Sequence, residues 1–217
     1  MTHAIHAPPG TVLLTGFGPF PGVAANATAR LVPLLAQTAA SAFPSHVFHH
    51  DVLDTTWGAA PGRAMALIAR HRPSLALHFG VAAGACGFRI ERQAHNTCRL
   101  SPDATGCLPS DSRLCQDGPD LHPVSIDTAY IEARLKARGF PVSLSDDAGG
   151  YLCNAVLYHS LTATKAVAAA CRSGFIHIPA DLDGPPLSFL DALEGALEIV
   201  RACLEDRDAA SIQQLAD

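Results

Sequence analysis

The chain is expected to fold as a single α/β domain on a mainly parallel sheet with helices on both faces. Three observations predict this. Short strand-like apolar runs alternate with longer stretches of helical period. Two of those runs, Thr11 to Thr15 and Leu75 to Val81, are apolar almost throughout, as strands covered on both faces must be. The 217 residues are 48% hydrophobic with no linker-like tract or internal repeat, so one domain over 1–217 can bury a sizeable core.

The elements follow in order. Residues 1–10, MTHAIHAPPG, lack the basic and apolar regions of a signal peptide and read as a loose tail. After the first strand, residues 16–22, GFGPFPG, read as a loop. Its phenylalanines, Phe17 and Phe20, either plug the core or wall a ligand pocket. The loop has the look of a phosphate cradle, but neither G-x-x-x-x-G-K nor G-x-G-x-x-G occurs, so a nucleotide is not expected. Residues 26–40 read as a helix with Asn26 as N-cap and Pro33 tolerable in its first turns. Val47 to Leu53 is a second strand, and Ala60, Ala64, Leu67 and Ile68 mark a helix over 58–71. Leu75 to Val81 is the third strand, and Phe88 to Ala94 alternates again.

Residues 97–122 carry prolines, glycines and no clear period, so a long irregular excursion is expected; such loops often serve a site. A helix over 126–138 starts near Ser125 or Asp127, followed by a strand over 142–145 and a helix over 151–165. Gly174 to Pro179 is another strand, and residues 187–204 form a closing amphipathic helix.

Composition excludes several function classes. Net charge is −5 and no basic run interleaves with aromatics, so nucleic acid is not an expected partner. No apolar run reaches membrane-spanning length. Seven cysteines, an odd and scattered set, fit reduced thiols in a cytoplasm better than a disulfide framework. Cys86, Cys98, Cys107 and Cys115 lie near His95, yet no C-x-x-C or H-x-x-x-H pair occurs, so no metal site is expected. The unevenly spaced His46, His49 and His50 read as solvated or strand-edge residues.

The chemistry concentrates in SDDAGGYLCN, residues 145–154. Cys153 falls in the first helical turn, where unpaired amides and the helix dipole favour a thiolate. The same amides could hold a developing oxyanion. A small buried hydrophobe is the other reading of Cys153. Ligands of such folds gather at C-terminal strand ends, where the 16–22 loop, Cys153 and His177 are expected to meet. A thiolate nucleophile needs an imidazole, which His177 would supply unless it is a satisfied core residue. Glu91, Asp146, Asp147 and Asp181 all qualify as the carboxylate that orients it.

At these residues the chain resembles the pyroglutamyl peptidase I family of cysteine peptidases. TGFGPF at 15–20, the segment 80–96 with Glu91-Arg92 and His95-Asn96, SDDAGGYLCN, and GFIHIP at 174–179 match its motifs in order and spacing. The resemblance implies an α/β/α sandwich and no cofactor. It implies an exopeptidase in which Cys153 is the nucleophile, His177 the acid/base and Glu91 the orienter. Phe17 and Phe20 would line the pyroglutamyl ring pocket, with Asn26 supporting their loop. The chain departs from the family at residues 21–28, at Val81 where many bacterial members have glutamine, and over 97–115. The expected function is a cytoplasmic hydrolase removing N-terminal pyroglutamate from peptides through an acyl-enzyme, with a homo-oligomer left open. Its rivals are a thiol hydrolase of another small amide or ester, and a non-catalytic binding module.

Overall fold

A computed structural model describes residues 10–166 and 171–214. In order the elements are β1 (Gly10–Phe17), α1 (Ala27–Ala42), β2 (His46–Leu53), α2 (Ala60–His71), β3 (Leu75–Ala82), β4 (Phe88–Glu91), β5 (Gln93–His95), β6 (Leu121–Pro123), α3 (Thr128–Ala137), β7 (Val142–Ser145), α4 (Leu152–Ala166), β8 (Arg172–Pro179) and α5 (Phe189–Gln214). The loose tail expected over 1–10 lies outside the described residues except for Gly10, which opens β1.

Among the described residues, six strands form one sheet in the order β2-β1-β3-β8-β4-β7, and β5 pairs with β6 in a small ribbon. The β1–β2, β1–β3, β3–β8 and β4–β7 pairings are parallel, while β4 meets β8 antiparallel. The sheet is therefore mostly parallel by pairing, with β4 and β7 running against the other four strands. Val12, Leu14, Leu77, Phe79 and Ile176 face a core shared with α1, α3 and α5. Leu13, Ala76 and Phe175 face a second core with α2 and α4. That makes three layers, α/β/α. It also explains why β1 and β3 read as nearly unbroken apolar runs.

Local chemistry sets the boundaries. Asn26 caps α1, accepting the Thr28 N–H at 3.1 Å, and Asp127 caps α3, accepting from Tyr130 N–H at 2.9 Å. Ser188 and Asp191 exchange side-chain to backbone bonds of 3.1 and 3.2 Å, a capping box that starts α5 two residues later than its apolar stripe suggests. Helix α3 carries little apolar stripe. It is held to α5 by Arg134 and Arg138, which converge on the buried Glu198 at 2.5 and 2.9 Å.

Two expectations need correcting. Gly16 and Phe17 belong to β1, because their backbone pairs with Val52 and Leu53, so the loop begins at Gly18. The run from Phe88 to Ala94 is not one strand. At Arg92 the chain leaves the main sheet, and Gln93–His95 pairs instead with Leu121–Pro123. The 97–122 excursion, otherwise irregular, is pinned by Asp103, which accepts the N–H groups of Trp57, Thr105 and Cys107 at 2.9, 2.8 and 3.0 Å. Asn96 braces it further, donating to the Cys115 and Gly118 carbonyls at 2.8 and 3.1 Å.

Candidate active site

The antiparallel seam between β8 and β4 carries the first two groups. Its register sets Arg89 opposite His177 and Glu91 opposite Phe175, all on the face toward α2 and α4. Glu91 is fully buried, and its Oε1 lies 2.8 Å from His177 Nδ1. Glu91 Oε2 is buried with no hydrogen-bond partner among the described residues. A carboxylate so desolvated is costly unless a positive charge stands beside it. With Nδ1 engaged, Nε2 is the nitrogen left to exchange a proton with Cys153, which lines the same cavity. Burial disfavours charge on His177, but the charge of Cys153, a hydrogen bond to it, and then Glu91 outweigh burial and raise the imidazole to about 9.

Cys153 reaches this pair by a route the strand-end rule does not describe. β7 runs against β8, so the end of β7 is not among the C-terminal ends of β1, β3 and β8. Residues 146–151 carry the chain back to start α4 over β3. Ser145 Oγ accepts from Asp147 N–H at 3.1 Å, and Asp147 Oδ1 accepts from Gly149 N–H at 2.8 Å, fixing that turn. Asn154 staples the helix start to β5. It accepts from His95 N–H at 2.9 Å and donates to the His95 and Thr97 carbonyls at 2.8 and 2.9 Å. Below lies Gly80, which is level with His177 across β3 and β8. A Cβ there would stand 2.9 Å from Cys153 Sγ and 2.8 Å from Phe175 Cζ, so only glycine leaves room for the thiol. The amides of Leu152 and Cys153, in the first helical turn, have no partner within their own helix.

A cavity of about 560 Å³ opens beside the thiol, lined by Phe17, Phe20, Asn26, Val81, Cys153 and His177 among others. The phenylalanines divide the two roles foreseen for them. Phe17 is 2% exposed and packs 6.2 Å from the Phe175 ring, so it is both core and cavity floor. Phe20 is half-buried and stands 6.0 Å from the Tyr151 ring as a wall. Phe20 and Val23 exchange backbone bonds of 3.1 and 2.8 Å around Pro21-Gly22. Gly22 has φ +86°, the conformation a type II turn reserves for glycine. Asn26, 4% exposed, donates to Gly18 O at 3.1 Å and so holds the loop. Thr55, absent from the sequence reading, donates to the same carbonyl at 2.9 Å.

Among the carboxylates, Glu91 alone of the four candidates meets His177. Asp146 is exposed and paired with Arg92, Asp147 is spent on its own turn, and Asp181 caps Asp183 N–H at 2.9 Å. His78 lies on the same face, fully buried and bonded to Thr15 Oγ1 at 2.7 Å; burial lowers it to about 3, so it is neutral. Phe175 stands between it and His177, with centroids 6.3 and 4.8 Å away. No three His, Cys, Asp or Glu side chains among the described residues converge as a metal site. No helix there is long and apolar enough to cross a membrane.

Gly80, Asn154 and Thr55 were missed because their roles are contacts across the fold. The only sequence signals are a glycine inside an apolar strand and an asparagine in a helix's first turn.

A family model described as pyroglutamyl peptidase matches residues 10–183. The pyrrolidone-carboxylate peptidase of Oceanobacillus iheyensis is 32% identical over 200 residues, covering 89% of this chain and 98% of the relative. That of Vibrio vulnificus is 33% identical over 205 residues, covering 89% and 92%. A variant pyrrolidone carboxyl peptidase of Pyrococcus furiosus superposes with a TM-score of 0.79 at 29% identity, over 90% of this chain and 99% of that one.

Proposed function

From the premise that the chain belongs to the pyroglutamyl peptidase family, we propose that it hydrolyses N-terminal pyroglutamate from peptides through a triad of Cys153, His177 and Glu91. The enzyme type follows from the family. The observation that supports the triad is His177 held 2.8 Å from Glu91 and lining one aromatic-walled cavity with Cys153, whose charge helps raise the imidazole.

The cycle follows from that geometry. Glu91 fixes the ring and stabilises the imidazolium that forms when His177 takes the thiol proton. Cys153 Sγ attacks the α-carbonyl carbon of the pyroglutamyl residue, and the amides at the start of α4 receive the oxyanion. The C–N bond breaks as His177 gives its proton to the leaving amine. Water, deprotonated by His177, then attacks the thioester, and the C–S bond breaks to return the thiolate.

The ring sits between Phe17 and Phe20, with Asn26 holding the wall. The lactam's polar partners do not come from the N–H groups of Phe17, Gly18, Phe20 and Val23, since each of these already has a protein acceptor. Turnover of a chromogenic pyroglutamyl amide, with prolyl and glutaminyl amides beside it, tests the reading. Pyroglutamyl turnover should exceed prolyl turnover by about 10⁴-fold, because burying the prolyl ammonium in an apolar cavity is penalised. Comparable rates for the two would overturn the substrate assignment.

A further inference from the structure

Arg89 lies directly across the β4–β8 seam from His177, and directly opposed side chains of such a pair stand about 5 Å apart at Cβ. It is half-buried and lines the same cavity as Cys153 and His177. Other arginines near acids are engaged: Arg92 with Asp146, Arg113 with Asp120, Arg134 with Glu198. Arg89 has no hydrogen bond or ion pair among the described residues. Its five guanidinium donors face the cavity side of the sheet unspent.

Sheet order tells which side of the reaction it serves. Along β1-β3-β8-β4, Phe17 and Val81 lie on one side of His177, and Arg89 lies one strand beyond it on the other. The ring is held on the first side, so the leaving group extends over the second. Arg99 also lines the cavity, while Asp147, bound to the Gly149 N–H at 2.8 Å, is the one carboxylate lining it among the described residues. The charged lining of the cavity outside the triad is thus net cationic. A planar guanidinium fork matches a carboxylate in two parallel hydrogen bonds.

We propose that Arg89 forms a carboxylate subsite for the residue following pyroglutamate, so that peptides bearing an acid there are preferred; this rests on the peptidase reading above. The leaving nitrogen must lie beside His177 to receive its proton. A carboxylate one or a few bonds further out then falls over Arg89. It is either the free terminus of a pyroglutamyl dipeptide or an acidic side chain on the leaving residue.

Two substrate pairs separate these sources: pyroglutamyl-alanine against its C-terminal amide, and the C-terminal amides of pyroglutamyl-glutamate against pyroglutamyl-glutamine. Each is assayed on the full chain, on Arg89→Gln and on Arg89→Lys. The charged member should lead by about tenfold in kcat/KM, mainly through KM, in at least one pair. That ratio should fall to about one in Arg89→Gln and survive in part in Arg89→Lys. A preference in the first pair alone assigns the terminal carboxylate, and in the second alone the side chain. A ratio near one in both pairs with the unaltered chain, or one that persists in Arg89→Gln, overturns the subsite. Equal loss on all four substrates overturns it too, since Arg89 would then act on what they share. Should Arg89→Gln fail to fold, the unaltered chain and Arg89→Lys still give the ratios. Absence of turnover on every pyroglutamyl substrate would overturn the peptidase reading instead.

Discussion

On the β1 flank of the cavity the amides of Phe17, Gly18, Phe20 and Val23 are all spent within the protein. On the β4 flank the donors of Arg89 are met by none of the described residues. The first flank is a closed shape, apolar toward the cavity and braced by Asn26 and Thr55. The second offers charge and no fixed partner. A group identical in every substrate is well met by a self-satisfied shape, whose hydrogen bonds need no rearrangement on binding. A group that differs between substrates is better met by donors left open. The cysteine–histidine pair lies between, so changes to the centre and to either flank should carry different kinetic signatures.

Loss of the centre should ignore the distinction. Cys153→Ala and His177→Ala are each expected to lower kcat by about 10⁴-fold or more, alike for every leaving group, since nucleophile and base act as a unit. Steady-state rates with circular dichroism as a folding control measure this; a variant keeping a tenth of the activity would remove that residue from the mechanism.

Glu91→Gln should cost less, on the order of 10²- to 10³-fold, because the thiol and imidazole remain. It should also move the alkaline limit. His177 is held at about 9, so its imidazolium, the proposed acid, is present below that pH and lost above it. Glu91 contributes to that raised value, so its removal should bring the alkaline limb of kcat/KM below about 9. An unmoved limb would show that Glu91 does not hold the proton on His177.

Gly80→Ala acts on the centre through shape alone. The added Cβ, 2.9 Å from Sγ, must push Cys153 or Phe175 aside, and a displacement near 1 Å costs about 10²-fold. The loss should fall on kcat, and iodoacetamide labelling of Cys153 should slow. Normal kinetics in this variant would mean that α4 yields without cost.

The smallest effect should come from the closed flank. Phe20→Ala should raise KM about tenfold for every pyroglutamyl substrate, whatever its leaving group, as expected from one half-buried aromatic. If KM rose only for acidic leaving groups, the assignment of the two flanks would be reversed.

Much of this was legible in the sequence, and the exceptions have physical causes. TVLLT and LALHFGV announced buried strands because both faces of the central sheet are covered. Asn26 and Asp127 announced helix starts because a cap is a local bond. The reversal of β4 and β7 left no trace, since strand direction is set by a distant partner. The break at Arg92 was hidden for the same reason, because alternation continues through it while the partner strand changes. Residues alone could not choose Glu91 over Asp146, Asp147 or Asp181. The choice depends on a register between segments 86 residues apart, and the family resemblance, not periodicity, pointed to it.

The chain has a single tryptophan, and its position gives the protein an optical reporter. Trp57 donates its indole N–H to Ser101 O at 2.9 Å, and its ring meets Tyr151 edge-on with centroids 5.3 Å apart. Tyr151 in turn touches Phe20 and lies two residues before Cys153. An occupant that shifts Tyr151 therefore alters the surroundings of the only indole fluorophore. Emission from the unlabelled chain should follow filling of the cavity in real time, and should still do so in Cys153→Ala, the variant expected to bind without turnover.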